Sequence, residues 1–149
     1  MSTAVRPKEE LAAMLAGRWE QVSRKFADLA QALPEGQLES HPVAGTRNAG
    51  EVVRHVAFWN RYLADSLRGN PADDTANELP REQFPTKARV LEALQQSAGD
   101  VAAALAERAA PLDSKAAELV ASFLEHTSEH YGQLAVYARI SGVTPPASQ

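Results

Sequence analysis

The sequence contains no cysteine, which excludes disulfides, thiolate metal sites and a cysteine nucleophile of the protein's own. Any thiol chemistry would need an external thiol. No apolar run approaches the length that spans a bilayer, and the first residues, MSTAVRPKEE, lack the apolar core of a secretory signal. The expectation is a soluble cytoplasmic protein with no membrane partner. Positive charge is not in excess either: 15 Lys and Arg stand against 19 Asp and Glu, a net charge of -4. Without a dominant basic footprint, no nucleic-acid partner is expected. Strand-type alternation, internal repeats and low-complexity tracts are missing as well. The 149 residues can bury a real core without crosslinks, and one domain over residues 1–149 is expected.

Helix formers fill the sequence, and its prolines and glycines separate four amphipathic segments. In the first, Pro7 to Leu33, the residues Leu11, Leu15, Trp19, Val22, Phe26, Leu29 and Leu33 step by fours and threes, which makes one core-facing stripe. The second, Ala49 to Arg68, follows Asn48, a capping residue with Glu51 three positions on, and ends at Gly69. Its stripe is Val52, Val56, Trp59 and Leu63, with His55 on the flank. The third, Thr86 to Ala109, carries Val90, Leu94, Val101 and Leu105 and tolerates Gly99. The fourth, Ser114 to Ile140, opens with Asp113 or Ser114 as cap and closes at Gly142. Its stripe is Leu119, Phe123, His126, His130, Leu134 and Tyr137, and the tail from Pro145 to Gln149 is expected to be loose. An all-α four-helix bundle follows. The short link Ala110 to Asp113 demands antiparallel neighbours, whereas Asn70 to Pro85 is long enough to run back along the bundle and leave helices two and three parallel.

Within the fourth segment, EHTSEHYGQL places His126 and His130 four residues apart on the predicted core stripe. At that spacing two imidazoles project from one face about 6 Å apart along the axis, close enough to converge on one ion. His55 is the only other histidine inside an amphipathic segment and would complete a trio that leaves the ion a vacant position. A hydrogen-bonded set of core histidines is the alternative. His41, in a loop before Pro42, is expected to be solvated. Trp19, Phe26, Trp59 and Phe123 read as core, and Glu125 and Glu129 as exposed. Phe58 and Tyr62 widen the apolar face of the second helix, consistent either with a homodimer surface or with wide burial inside one chain. The string HTSEH also fits the H-x-x-E-H pattern of inverted zinc peptidases, but a chain without strand signals offers no sheet edge for a peptide.

Taken together, Arg47-Asn48-Ala49-Gly50-Glu51-Val52-Val53-Arg54-His55, His126-Thr127-Ser128-Glu129-His130-Tyr131-Gly132-Gln133 and the ending Gly142-Val143-Thr144-Pro145-Pro146 resemble the DinB-like superfamily of DinB and thiol-transferase type. The likeness covers nearly the whole chain. The resemblance implies an up-down-down-up bundle with a long crossover between helices two and three. It also implies a divalent metal held by His55, His126 and His130, with Gly132 admitting close helix packing and Gln133 hydrogen-bonding near the site. Asn48 stands where similar proteins often carry a hydroxyl residue, a change that preserves capping. Some members use small thiol cofactors.

Three neutral imidazoles leave a dication its full charge, so the vacant position would favour hydroxide or thiolate. Imidazole suits zinc, nickel and iron alike. The functional expectation is a metal-dependent thiol transferase-like enzyme or hydrolase in which the ion activates a low-molecular-weight thiol or water against a small-molecule substrate. No residue stands out as its general base. The alternative is a non-catalytic metal-binding or helical interaction module of stress-associated type.

Overall fold

A computed structural model describes residues 7–108 and 111–149. The four expected helices are present: α1 (Pro7–Ala32), α2 (Ala49–Arg68), α3 (Lys87–Glu107) and α4 (Ser114–Ile140), with short 3-10 turns at Glu35–Gln37 and Pro146–Ser148. No strand occurs among the described residues, and none of their helices is long and apolar enough to cross a membrane. Residues 1–6 of the stretch read for a signal, the last position of the third segment, Ala109, and the start of the short link, Ala110, lie outside the described residues.

Capping chemistry sets the helix starts. Asn48 Oδ1 accepts from the Glu51 amide at 2.8 Å while Glu51 Oε2 accepts from the Asn48 amide at 3.3 Å, the reciprocal box expected from the sequence. Thr86, assigned to the third helix from the sequence, instead caps it by accepting from the Arg89 amide. Asp113, not Ser114, caps α4. Gly69 ends α2 at φ 73°, a left-handed conformation that glycine adopts without a Cβ penalty.

The helices bury two apolar clusters. One joins Phe26, Leu29, Val52, Val56, Leu94 and Leu134; the other joins Leu15, Trp19, Leu63, Val101 and Val120. Helix α2 is the central element, buried on nearly every side, and Phe58 is covered within the chain. Tyr62, the other residue that widens the apolar face of this helix, is half-buried. The connection after α2 does run back along the helix: the Leu79 amide donates to the Arg54 carbonyl, and Leu79 is buried. The C-terminal tail is not loose, because its 3-10 turn packs against α1 with Pro145 buried.

Two further expectations are corrected. The buried residues of α4 are Ala116, Val120, Thr127, Leu134, Tyr137 and Ala138, so Leu134 and Tyr137 of the expected stripe are buried, while Leu119, Phe123, His126 and His130 sit on its half-buried flank rather than at its centre. A stripe wider than one residue row cannot be ranked by period alone. Gly132 does not admit a neighbouring helix, since it is exposed and a Cβ there would meet nothing within 4 Å. Gly132→Ala is therefore expected to stabilise the protein by about 0.5–1 kcal/mol through helix propensity alone. Chemical denaturation checks this, and a loss of stability would mean that this helix face is covered.

Candidate metal centre

Helices α2 and α4 cross so that His55 meets both histidines of the EHTSEH segment. The ring centroids of His55 lie 4.9 Å from those of His126 and 4.7 Å from those of His130, and the latter two are 4.6 Å apart. One nitrogen from each ring falls within 4.8 Å of the others, so the three could hold a metal ion, and no carboxylate among the described residues joins the cluster. His55 is buried; His126 and His130 are half-buried.

Hydrogen bonds fix how two of the rings face. His55 Nδ1 lies 2.6 Å from the Asn77 carbonyl oxygen, which can only accept, so Nδ1 carries the proton and Nε2 keeps its lone pair. That Nε2 lies 3.0 Å from His126 Nε2. The other fixed ring is His130, through a longer relay. Tyr137 Oη donates to the Arg47 carbonyl at 2.7 Å, so it accepts from Gln133 Nε2 at 2.8 Å; the Gln133 amide thereby turns Oε1 toward His130 Nδ1, 2.9 Å away. His130 is thus also protonated at Nδ1, with Nε2 left as its donor atom. The partners outside the trio hold the protons, and the lone pairs are left for the inside.

Asn77 escaped the sequence reading. It has a left-handed backbone at φ 63°, and its side chain accepts from Trp59 Nε1 at 2.9 Å while its carbonyl holds His55. The only available signal was an asparagine in a long loop, the non-glycine residue type that best tolerates this conformation. Trp59 and Phe123 are half-buried and stacked, with centroids 5.9 Å apart, and both meet His126 edge-on. They wall the trio, and each also packs against the edge of a core cluster. Trp19 and Phe26 are core residues as expected. His41 is exposed, 3.9 Å from Glu51, and lies outside the trio. Glu125 and Glu129 are exposed, so the glutamate of the H-x-x-E-H pattern does not join the histidines, and Tyr131 turns to the Lys25 ammonium.

Burial, opposed by the Asn77 carbonyl and aided by the charges of Arg47 and His130, lowers the His55 pKa from 6.5 to about 4. Burial, then the charges of His130, His55 and Arg47, brings His126 to about 4 as well. Both rings are neutral at pH 7. Between pH 6.5 and 4 the unfolded chain takes up protons at these positions that the folded chain does not, so stability of the metal-free protein falls as pH drops through this window. The full contribution is present above pH 6.5, and the loss is at most roughly 3 kcal/mol per histidine. Denaturant titrations of chelator-treated protein should show this slope, and a His55→Gln/His126→Gln double variant should flatten it.

A family model for the DinB superfamily matches residues 18–134. The chain belongs to the DinB superfamily. The match spans all three histidines and the α2–α3 connection that carries Asn77. No curated protein matches this DinB-superfamily chain.

Proposed function

We propose that this DinB-superfamily protein binds a divalent cation through His55, His126 and His130 and uses it in a thiol transferase-like or hydrolytic reaction on a small molecule. The single observation that carries the proposal is the polarity of the hydrogen bonds: Asn77 and Gln133 hold the outer Nδ1 protons of His55 and His130, so both rings present bare Nε2 atoms to a common centre. Such outer partners fix the tautomer and orientation of metal-binding imidazoles. The 3.0 Å between His55 Nε2 and His126 Nε2 compares with roughly 2.9–3.4 Å for two imidazole nitrogens sharing one ion at 90–109°. Zinc, nickel and iron all suit three imidazoles. When bound, such a cation supplies Lewis acidity that favours the anionic form of a small thiol or of water.

The chain's own contributions are distinct. Trp59 and Phe123 give the site an apolar wall, which excludes water and accommodates the carbon skeleton of a substrate. Asn77 and Gln133 keep two rings from turning. An up-down-down-up helix order belongs to the proposal. Its support is that Asn60 bonds Ser97 and Arg68 bonds Glu107, so α2 and α3 advance together, while Trp59 meets Phe123 and Arg47 meets Tyr137, so α2 and α4 run oppositely.

A specific observation favours a second reading, a metal-free hydrogen-bonded core. His126 Nε2–H can donate to His55 Nε2 across the same 3.0 Å. Elemental analysis of tag-free protein separates the two: one metal per chain with thiol-dependent turnover supports the first, and metal-free protein that refuses added zinc, nickel and iron supports the second.

Gln133→Leu tests the relay within the first reading. It removes the acceptor for His130 Nδ1–H without touching a donor nitrogen, and should weaken metal affinity about 10–100-fold in chelator competition. Unchanged affinity would show that the relay does not orient His130.

A further inference from the structure

We infer that the chain carries a second small-molecule site, separate from the histidines, for a monocarboxylate with an apolar body. The site lies where α2 and α3 end and α4 begins, and it contains none of the three histidines, so it stands independently of the metal-site proposal. It is a hollow of about 350 Å³, within the size range of small-molecule pockets. The Tyr62 ring, Leu67 and Leu119 give it an apolar lining.

Its polar lining is what points to a ligand. Arg108 Nη1 donates to the Leu67 carbonyl at 2.8 Å, which closes the C-terminal end of α2. That bond accounts for one of the five guanidinium donors, and Nε is buried with no partner at all. Among the described residues Arg108 forms no ion pair, and Lys115 and the hydroxyls of Tyr62 and Ser66 bond no protein group. Four groups able to donate therefore line one hollow without a protein acceptor. The one carboxylate there, Asp113, is engaged in capping α4, its Oδ1 accepting from the Ala116 amide at 2.8 Å. Two cations against one carboxylate leave a single positive charge, which one external carboxylate balances. A charged donor without an acceptor is costly where water is scarce, and a ligand oxygen removes that cost. The apolar lining then takes the rest of the molecule.

The alternative is that Arg108 only closes α2 and Lys115 is a solvated surface charge. Calorimetric titration of the chelator-treated full-length chain with phenylacetate and with uncharged phenylacetamide separates the two. Wild type should bind one phenylacetate per chain, at least about tenfold tighter than the amide, the effect of one hydrogen bond between charged groups. Arg108→Met should abolish the preference and Arg108→Lys should keep part of it. Because Arg108→Met also loses the bond that closes α2, Lys115→Met, at an exposed position, supplies the second reading and should lower the preference in a chain that melts like wild type. Asp113→Asn keeps the helix cap, removes the opposing charge and should tighten phenylacetate. Ser66→Leu should fill the hollow and weaken acid and amide together. No saturable binding of phenylacetate, equal affinity for acid and amide, or phenylacetate binding unchanged in both Lys115→Met and Ser66→Leu would overturn the inference. Inorganic phosphate competing as well as phenylacetate would equally remove the apolar body from the ligand and the inference with it.

Discussion

His126→Ala is expected to weaken metal binding by more than about 100-fold, beyond what losing an outer partner of a ligand costs. His55 and His130 face His126 at centroid distances below 5 Å, and a two-imidazole remnant lacks the third donor that holds an ion against a chelator. The consequence for stability depends on loading. With metal at 1,000 times its Kd, wild type gains about 4 kcal/mol by linkage, and the variant should lose that gain. Without metal, the same substitution removes a half-buried imidazole whose neutral form is already imposed by desolvation, so little stability is lost. The signature is therefore a difference between loaded and metal-free melting curves that exists in wild type and vanishes in the variant. Equal losses in both conditions would mark His126 as an ordinary packing residue and end the metal proposal.

Trp19→Ala should cost about 3–5 kcal/mol, the usual range for emptying a buried aromatic site, out of a total that for domains of this size is about 5–15 kcal/mol. Trp19 is 1% exposed, packs with Leu15, Leu63, Val101 and Val120, and donates from Nε1 to the Ala98 carbonyl at 3.0 Å, tying α1 to α3. Trp19→Phe keeps much of the packing and removes only that bond, so about 1–3 kcal/mol is expected from it. Urea denaturation measures both. Trp19 lies in the apolar cluster that does not include His55, His126 or His130, so folded Trp19→Phe protein should bind metal like wild type. A parallel loss of affinity would show that the two ends of the bundle are coupled.

Much of this was legible in the chain because helices announce themselves locally. The steps of three and four in α1, the Asn48–Glu51 box and the glycine stops depend on neighbours within a turn, so their physics lies in the local sequence. The spacing of His126 and His130 belongs to the same class, as does the solvated reading of His41. The errors share a cause. Gly132 was expected to face another helix, and the His126 row to be the centre of the α4 interface. Which side of a broad apolar face is deepest depends on how its neighbours cross it.

Composition and periodicity alone determined that the chain is helical, that it lacks a cysteine ligand or nucleophile of its own, and that two histidines share one helix face. Only the tertiary structure decided that His55 meets them, and that Asn77 from the long α2–α3 connection and the Gln133–Tyr137–Arg47 relay hold the outer protons. The reason is reach. A side chain's place on its own helix follows from 3.6 residues per turn, whereas the partner of a ring nitrogen 71 residues away in sequence is set by how helices pack and where a loop returns.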